Sequence, residues 1–137
     1  MGLAGRKALK KNLKSILNQN QIDFTVINGE NAADDGKGIT EEIAKDFFSL
    51  GIDVITSGNH IWDKKETSHF IDKENRLLRP ANLAEGSPGK GHGVFLDKNR
   101  KFKIGVINLM GNIFMRKTDD VFVTAKKICK NFTLKKN

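Results

Sequence analysis

Two short stretches constrain this chain more than any others: "IDFTVIN" at 22–28 and "IDVITS" at 52–57. Each is rich in β-branched and apolar residues, too short for a helix, and each follows a segment of helical period. Val54 and Ile55 stand side by side with nothing polar between them, as in a strand covered on both faces. Each stretch then gives way to polar sequence around a glycine, "NGEN" after the first and "SGNH" after the second. Helix–strand–helix–strand alternation of this kind predicts α/β layers on a mixed sheet.

The remaining elements follow from the same reading. Leu9, Leu13, Ile16 and Leu17 recur at helical spacing, with Arg6, Lys7, Lys10, Lys11 and Lys14 on the other side, predicting an amphipathic helix over 3–19. Thr40 is placed to cap a second helix, whose first turn carries Glu41 and Glu42 where the positive helix end favours them. Ile43, Phe47 and Leu50 form its buried stripe, and Gly51 is its C-terminal stop. Asp63 and Glu66 have capping-box spacing and predict a helix over 64–72. From Leu77 the character changes. "LLRPANL", "GHGVFLDK" and "KFKIGVINLMG" read as short strands, the last two joined by the turn "DKNR". A final helix is expected from about Thr118, with Val121, Phe122, Ala125, Ile128, Cys129 and Phe132 on one face and Cys129 a buried thiol.

Composition narrows the class. The chain has 137 residues, enough for one domain with a real core, and 38% of them are hydrophobic. No apolar run approaches the roughly 20 residues of a membrane span, and the N-terminus has no signal-peptide core. A single cysteine excludes an internal disulfide and fits a reducing cytoplasm. The net charge of +8 invites a polyanion, yet it is mostly lysine, scattered along the chain, with no tyrosine and no basic segment interleaved with aromatics.

The chemistry-bearing residues gather at the ends of the two leading stretches. In an open α/β sheet, ligands collect outside the carboxyl ends of the strands. If the two strands are parallel neighbours, Asn28, Glu30, Asn31, Asn59 and His60 crowd one edge. Glu30, Asn31, Asn59 and His60 then offer the mixed oxygen and nitrogen donors suited to Mn, Fe or Zn. Taken singly, Asn-Gly is an ordinary turn and an Asn-His pair an ordinary cap. Their joint occurrence at two successive strand ends points to a site.

"GRKALKK", "IDFTVINGENAA", "GIDVITSGNHIWDKKE", "RLLRPANL" and "IGVINLMGNIFM" together closely resemble the bacterial YmdB-like metallophosphoesterases of the calcineurin-like phosphoesterase superfamily. The resemblance runs from Gly2 to Met115. It implies the N-terminal half of a layered α/β/β/α metallophosphoesterase sandwich and a two-metal phosphodiesterase with 2′,3′-cyclic nucleotides as the substrate class. By that resemblance Glu30 is a metal-bridging carboxylate, Asn31 and Asn59 are metal-binding amides, and His60 is the catalytic histidine beside the metals. The family's first strand, ending in Gly-Asp, and three further metal-binding histidines have no counterpart here. His69 is a residue of the third helix and His92 a loop residue, and neither matches a ligand position.

The whole chain, 1–137, is therefore expected to be a single partial domain lacking the first strand and the C-terminal half, and inactive alone. Two divalent ions (Fe, Mn or Zn) are the cofactors of the intact fold. A small phosphodiester or cyclic nucleotide is the expected partner, with no membrane, and a companion polypeptide or a second copy would complete the site. The alternative is a non-catalytic basic remnant that binds RNA or protein. Trp62 is expected to pack on the sheet, Asn82 to shape a turn or edge the site, and Arg79 to form a surface ion pair.

Overall fold

The computed structural model describes residues 2–132. Helix α1 (Gly2–Gln19) comes first and buries Leu13 and Leu17. Strand β1 (Val26–Asn28) is shorter than the apolar run that predicts it. Ile22 and Asp23 are held elsewhere: Lys98 Nζ donates to the Ile22 carbonyl and Asn99 Nδ2 to Asp23 Oδ1. The pairing therefore opens only at Thr25, whose amide donates to Asp53 Oδ2 at 2.7 Å.

Helix α2 (Glu41–Ser49) forms as its sequence demands, with Thr40 Oγ1 accepting the Ile43 amide. Gly51 ends it with φ +92°, a conformation that disfavours any side chain. Strand β2 (Val54–Thr56) follows, with Val54 and Ile55 fully buried. Beyond it, the predicted helix over 64–72 is much reduced. One α-turn, α3 (Thr67–Phe70), runs into a 3-10 turn at Ile71–Lys73, and no side chain caps α3. The capping box does not form because both of its members bond elsewhere. Asp63 faces His60, and Glu66 Oε1 accepts the Glu41 amide at the start of α2. What anchors α3 is Thr67, fully buried, whose hydroxyl donates to the Ile39 carbonyl at 2.8 Å.

Strand β3 (Leu77–Leu78) is the only strand-like part of "LLRPANL". Pro80 has no amide to continue a ladder. Strands β1, β2 and β3 lie side by side in that order, all parallel, with Asn28 opposite Thr56. The hairpin of β4 (His92–Leu96) and β5 (Lys103–Ile107) is antiparallel and makes a second, two-stranded sheet. Parallel and antiparallel pairing thus occupy separate sheets, joined by single bridging contacts such as Leu78 to Lys90. His92 opens β4 instead of lying in a loop. At the turn, Asp97 Oδ1 accepts the Phe102 amide at 2.6 Å and Arg100 adopts φ +56°.

Helix α4 (Val121–Asn131) starts later than Thr118, capped by Asp120 Oδ1 on the Val123 amide. Its apolar stripe is not the buried face expected. Ile128 is buried, but Phe122 is 81% exposed and Cys129 is exposed as well. Val121 and Ala125 are partly buried, and at the C-terminal end Phe132 lies against His92 and Gly105 of the hairpin. One apolar cluster joins the leading elements: Leu13 and Leu17 from α1, Ala44 and Phe47 from α2, Ile55 from β2 and Leu77 from β3.

Candidate active site

The parallel register sets the site. Asn28 and Thr56 are partners at the last ladder position, so two residues on Glu30 and Gly58 come level. The two tips do converge. A Cβ at Gly58 would lie 2.3 Å from the Glu30 carboxyl carbon, so the carboxylate occupies the space that any other residue's side chain would need. The neighbouring His60 amide is 3.4 Å from Glu30 Oε1. Glycine at 58 is thus what lets the Glu30 carboxylate from the next strand approach so closely.

The loop after β1 is fixed by its own backbone. Asn28 Oδ1 accepts the Glu30 amide, Gly38 N donates to the Glu30 carbonyl, and Ala32 and Ala33 both donate to Gly38 O. Arg6 reaches over from α1 to the Ala32 carbonyl and to Asp34 Oδ1. Asn31 bridges to Gly38 through its backbone, and its carbonyl accepts the Gly2 amide at 2.6 Å. Among the described residues, no protein hydrogen bond engages the side-chain amide of Asn31 or of Asn59.

After β2 the chain turns tightly. Ile61 N donates to Gly58 O and Asp63 N to His60 O, with Ile61 fully buried as the pivot. This folds Asp63 back onto the imidazole, leaving His60 Nδ1 2.7 Å from Asp63 Oδ2. Lys64 does not compete for that carboxylate, because its ammonium lies 2.7 Å from Asp35 Oδ2. That ammonium, with the Lys37 amide, holds the Asp35 carboxyl below the usual carboxylate range.

The floor of the edge is bound together from below. Buried Asn108, just past β5, donates from Nδ2 to both Ser57 O and Leu78 O at 2.8 Å. Asn82 is fully buried and lies, as expected, in a turn, the one that the Leu83 amide closes on the Pro80 carbonyl. Its amide donates to the Met110 carbonyl, Thr118 Oγ1 and the Asp119 carbonyl, while its oxygen accepts the Met110 amide. Among the described residues Arg79 forms no ion pair. Its guanidinium donates to the carbonyls of Pro88 and Pro80, and partial burial lowers its pKa against the raising influence of Asp72. Trp62 packs on the apolar cluster. His69 is exposed on α3.

The donors present fit a cation in part. Glu30 contributes a carboxylate, and Asn31 and Asn59 contribute half-buried amides with unused hydrogen-bonding capacity. His60 keeps Nε2 after Nδ1 has met Asp63. No group of three His, Cys, Asp or Glu side chains could hold a metal among the described residues, so the amides would have to share the task. Sequence reasoning missed Asp63 as a neighbour of His60. The signal was its i, i+3 spacing, which serves a turn as well as it serves a cap.

Comparison with known proteins decides the family, since the family model described as "YmdB-like protein" matches residues 1–137. The chain belongs to the YmdB-like family. A relative from Bacillus subtilis (strain 168), named 2′,3′-cyclic-nucleotide 2′-phosphodiesterase, is 44% identical over 128 residues. That alignment covers 93% of this chain and 47% of the relative. Among solved structures, a hypothetical protein from Thermus thermophilus superposes with a TM-score of 0.86 at 30% identity, over 97% of this chain and 50% of that one. A phosphatase from Mycoplasma pneumoniae superposes with a TM-score of 0.83 at 31% identity, over 95% and 47%. The fold is thus that of part of a phosphoesterase, and this YmdB-like chain spans at most about half the length of the curated relatives it matches. No helix among the described residues is long and apolar enough to cross a membrane.

Proposed function

We propose that this YmdB-like chain supplies half of the site of a metal-dependent phosphodiesterase acting on 2′,3′-cyclic nucleotides in the cytoplasm. The observation that carries the reading is the pairing of the two strand tips, with the Glu30 carboxylate seated against Gly58 beside His60. The name and 44% identity of the Bacillus subtilis relative support the substrate class.

In this reading Glu30, Asn31 and Asn59 hold divalent cations of the Mn, Fe or Zn kind, with further ligands coming from outside the described residues. Such a pair, when bound, supplies Lewis acidity toward the phosphoryl group and the attacking water. Glu30 brings the only negative charge among the four residues, and the two neutral amides leave the cations electrophilic. His60 carries the proton. Water adds to phosphorus and gives up a proton, the P–O2′ bond breaks, and the departing 2′-oxygen takes a proton from Nε2 of the His60 imidazolium, which the proton released by the water restores, giving the 3′-nucleotide. Asn28 and the Gly38 backbone hold the Glu30 main chain in place throughout.

The test joins this chain to the remaining half of the Bacillus subtilis relative. Release of 3′-nucleotide from 2′,3′-cyclic AMP is followed with added Mn²⁺. The isolated chain is expected to give no turnover and the fusion to give metal-dependent turnover. His60→Ala is expected to lower it by roughly 10²–10⁴-fold, the usual contribution of a positioned acid. A fusion that binds two metals yet keeps full turnover as Asn59→Ala overturns the assignment. The non-catalytic reading rests on the +8 charge and on the exposed Lys7, Lys10, Lys11 and Lys14 of α1. Salt-sensitive RNA binding that survives EDTA and Glu30→Gln would favour it instead.

A further inference from the structure

We propose that the groove beside His60 holds single-stranded RNA. The substrate of the site is then an RNA chain ending in a 2′,3′-cyclic phosphate, in preference to a free cyclic mononucleotide. This rests on the phosphodiesterase reading and names the substrate class within it.

The groove runs along the segment that leaves the β2 tip. Trp62, Lys64, Lys65 and His69 line one side and Ser87 and Pro88 the other, around a space of about 490 Å³. That lies within the roughly 300–1,000 Å³ of sites that take a small molecule. It adjoins the strand tips. Trp62 follows His60 by two residues, a span of at most about 7 Å. A Cβ at Gly38 would lie 3.0 Å from the His60 carbonyl oxygen and 3.2 Å from Lys64 Cγ, so Lys64 and the His60 turn pack on one glycine. The amide of that glycine donates to the Glu30 carbonyl. The far wall is fixed as well. Arg79 Nε donates to the Pro88 carbonyl, and Asp72 Oδ1 accepts the Gly89 amide at 2.6 Å.

The lining offers the two chemistries that an RNA strand needs. Trp62 is half-buried, packed on the apolar cluster while also facing the groove. A ring already held in place loses little freedom when a base stacks on it. Lys65 is exposed and, among the described residues, forms no ion pair. Lys64 adds a second ammonium, although Asp35 shares it. Among the described residues no carboxylate lines the groove. The two acids of the same segment are turned elsewhere, Asp63 to His60 and Glu66 to the Glu41 amide. A phosphate in the groove therefore meets cations. A cyclic mononucleotide at the strand tips has neither a second base for Trp62 nor a second phosphate for Lys65. The nucleotide preceding a cyclic phosphate in a chain supplies both.

Trp62 is the single tryptophan and the chain has no tyrosine, so its fluorescence reports on the groove directly. The isolated chain is titrated at low salt with an oligoadenylate hexamer ending in a 2′,3′-cyclic phosphate and, separately, with 2′,3′-cyclic AMP. The hexamer is expected to quench Trp62 and to bind about 10-fold or more tightly than the mononucleotide, the scale of one stacked base. Lys65→Gln, at an exposed position, is expected to reduce the slope of log affinity against log salt by about 1. In the fusion, kcat/KM is expected to be higher for the hexamer than for 2′,3′-cyclic AMP, and Lys65→Gln to shrink that ratio. Equal affinity for the two ligands, or a hexamer that leaves Trp62 unquenched, overturns the proposal. Heparin binding as tightly as the hexamer also overturns it, by marking a general polyanion surface. If the hexamer binds and quenches but the fusion hydrolyses neither substrate, the phosphodiesterase reading fails and the groove stands as an RNA site. If the fusion hydrolyses 2′,3′-cyclic AMP as efficiently as the hexamer, that reading stands and the RNA proposal fails.

Discussion

Gly58 and Asn82 illustrate two different demands that this structure places on a single residue. At Gly58 the conflict is with the far end of a flexible side chain, because a new Cβ would meet only the Glu30 carboxylate. Glu30 can swing away at little cost. Gly58→Ala is therefore expected to leave urea stability within about 1 kcal/mol, the range of changes that touch no rigid neighbour. It is also expected to remove the carboxylate from the strand tips and weaken Mn²⁺ binding, read by calorimetry on the fusion. Unchanged Mn²⁺ affinity would show that Glu30 is not a ligand. Asn82 is the reverse case, buried and holding both ends of the segment from Met110 to Asp119. Asn82→Ala orphans the buried Met110 amide, and each such loss costs about 1–3 kcal/mol. A destabilisation of roughly 2–3 kcal/mol in urea unfolding is expected, with faster hydrogen exchange at Met110.

Helix α2 was legible residue by residue, because Thr40, the Ile43–Phe47–Leu50 stripe and Gly51 each satisfy a local need of a helix. The β4–β5 hairpin was legible for the same reason. What sequence could not show was which partner wins when a residue has two. Asp63 and Glu66 fit a capping box, yet His60 and the Glu41 amide claimed them. Cys129 and Phe122 fit a buried stripe, yet both are exposed while Val121, Ala125 and Ile128 on the same helix are at least partly covered. Glu30 and His60 were legible as candidate site residues because glycine and polar types recur at two successive strand ends. The 3.4 Å approach between them follows from register, which no single segment encodes.

The hairpin also carries a pH dependence. The Phe102 amide, chiefly, together with those of Asn99 and Lys101, holds the Asp97 carboxyl below its ordinary value. A depressed folded-state pKa means that the unfolded chain binds the proton first as pH falls, so stability rises with pH in that window. The contribution is complete above the unfolded value of about 4 and is lost as pH falls through the lower folded value. Asp97→Asn, which keeps an acceptor for the Phe102 amide and removes the charge, is expected to flatten the acid limb below about pH 4. Urea midpoints taken from pH 2 to 6 on both proteins check this. Parallel limbs would place the acid sensitivity elsewhere.

Taken together, the chain has the scaffold of a site more than the site. The Glu30 carboxylate meets the turn from Gly58 to His60 at the sheet edge, with Asn31 and Asn59 in the same two loops, and no group of three His, Cys, Asp or Glu side chains that could hold a metal occurs among the described residues. Divalent cations held mainly by neutral oxygens bind weakly, because ligand charge sets affinity. A ligand present at its own dissociation constant stabilises the folded state by only about 0.4 kcal/mol. For a chain of this size that moves the thermal midpoint by about 1–3 °C. Adding 1 mM Mn²⁺ to the isolated chain, or removing it with EDTA, is thus expected to shift the midpoint by no more than this. In the fusion, where additional ligands are supplied, saturation at 100 times the dissociation constant adds about 2.7 kcal/mol, and EDTA should lower the midpoint by several degrees. Differential scanning calorimetry of both proteins with and without EDTA makes the comparison. A fall of 10 °C or more in the isolated chain would mean that its own residues already complete a tight metal site, and that the division of ligands argued from the strand tips is wrong.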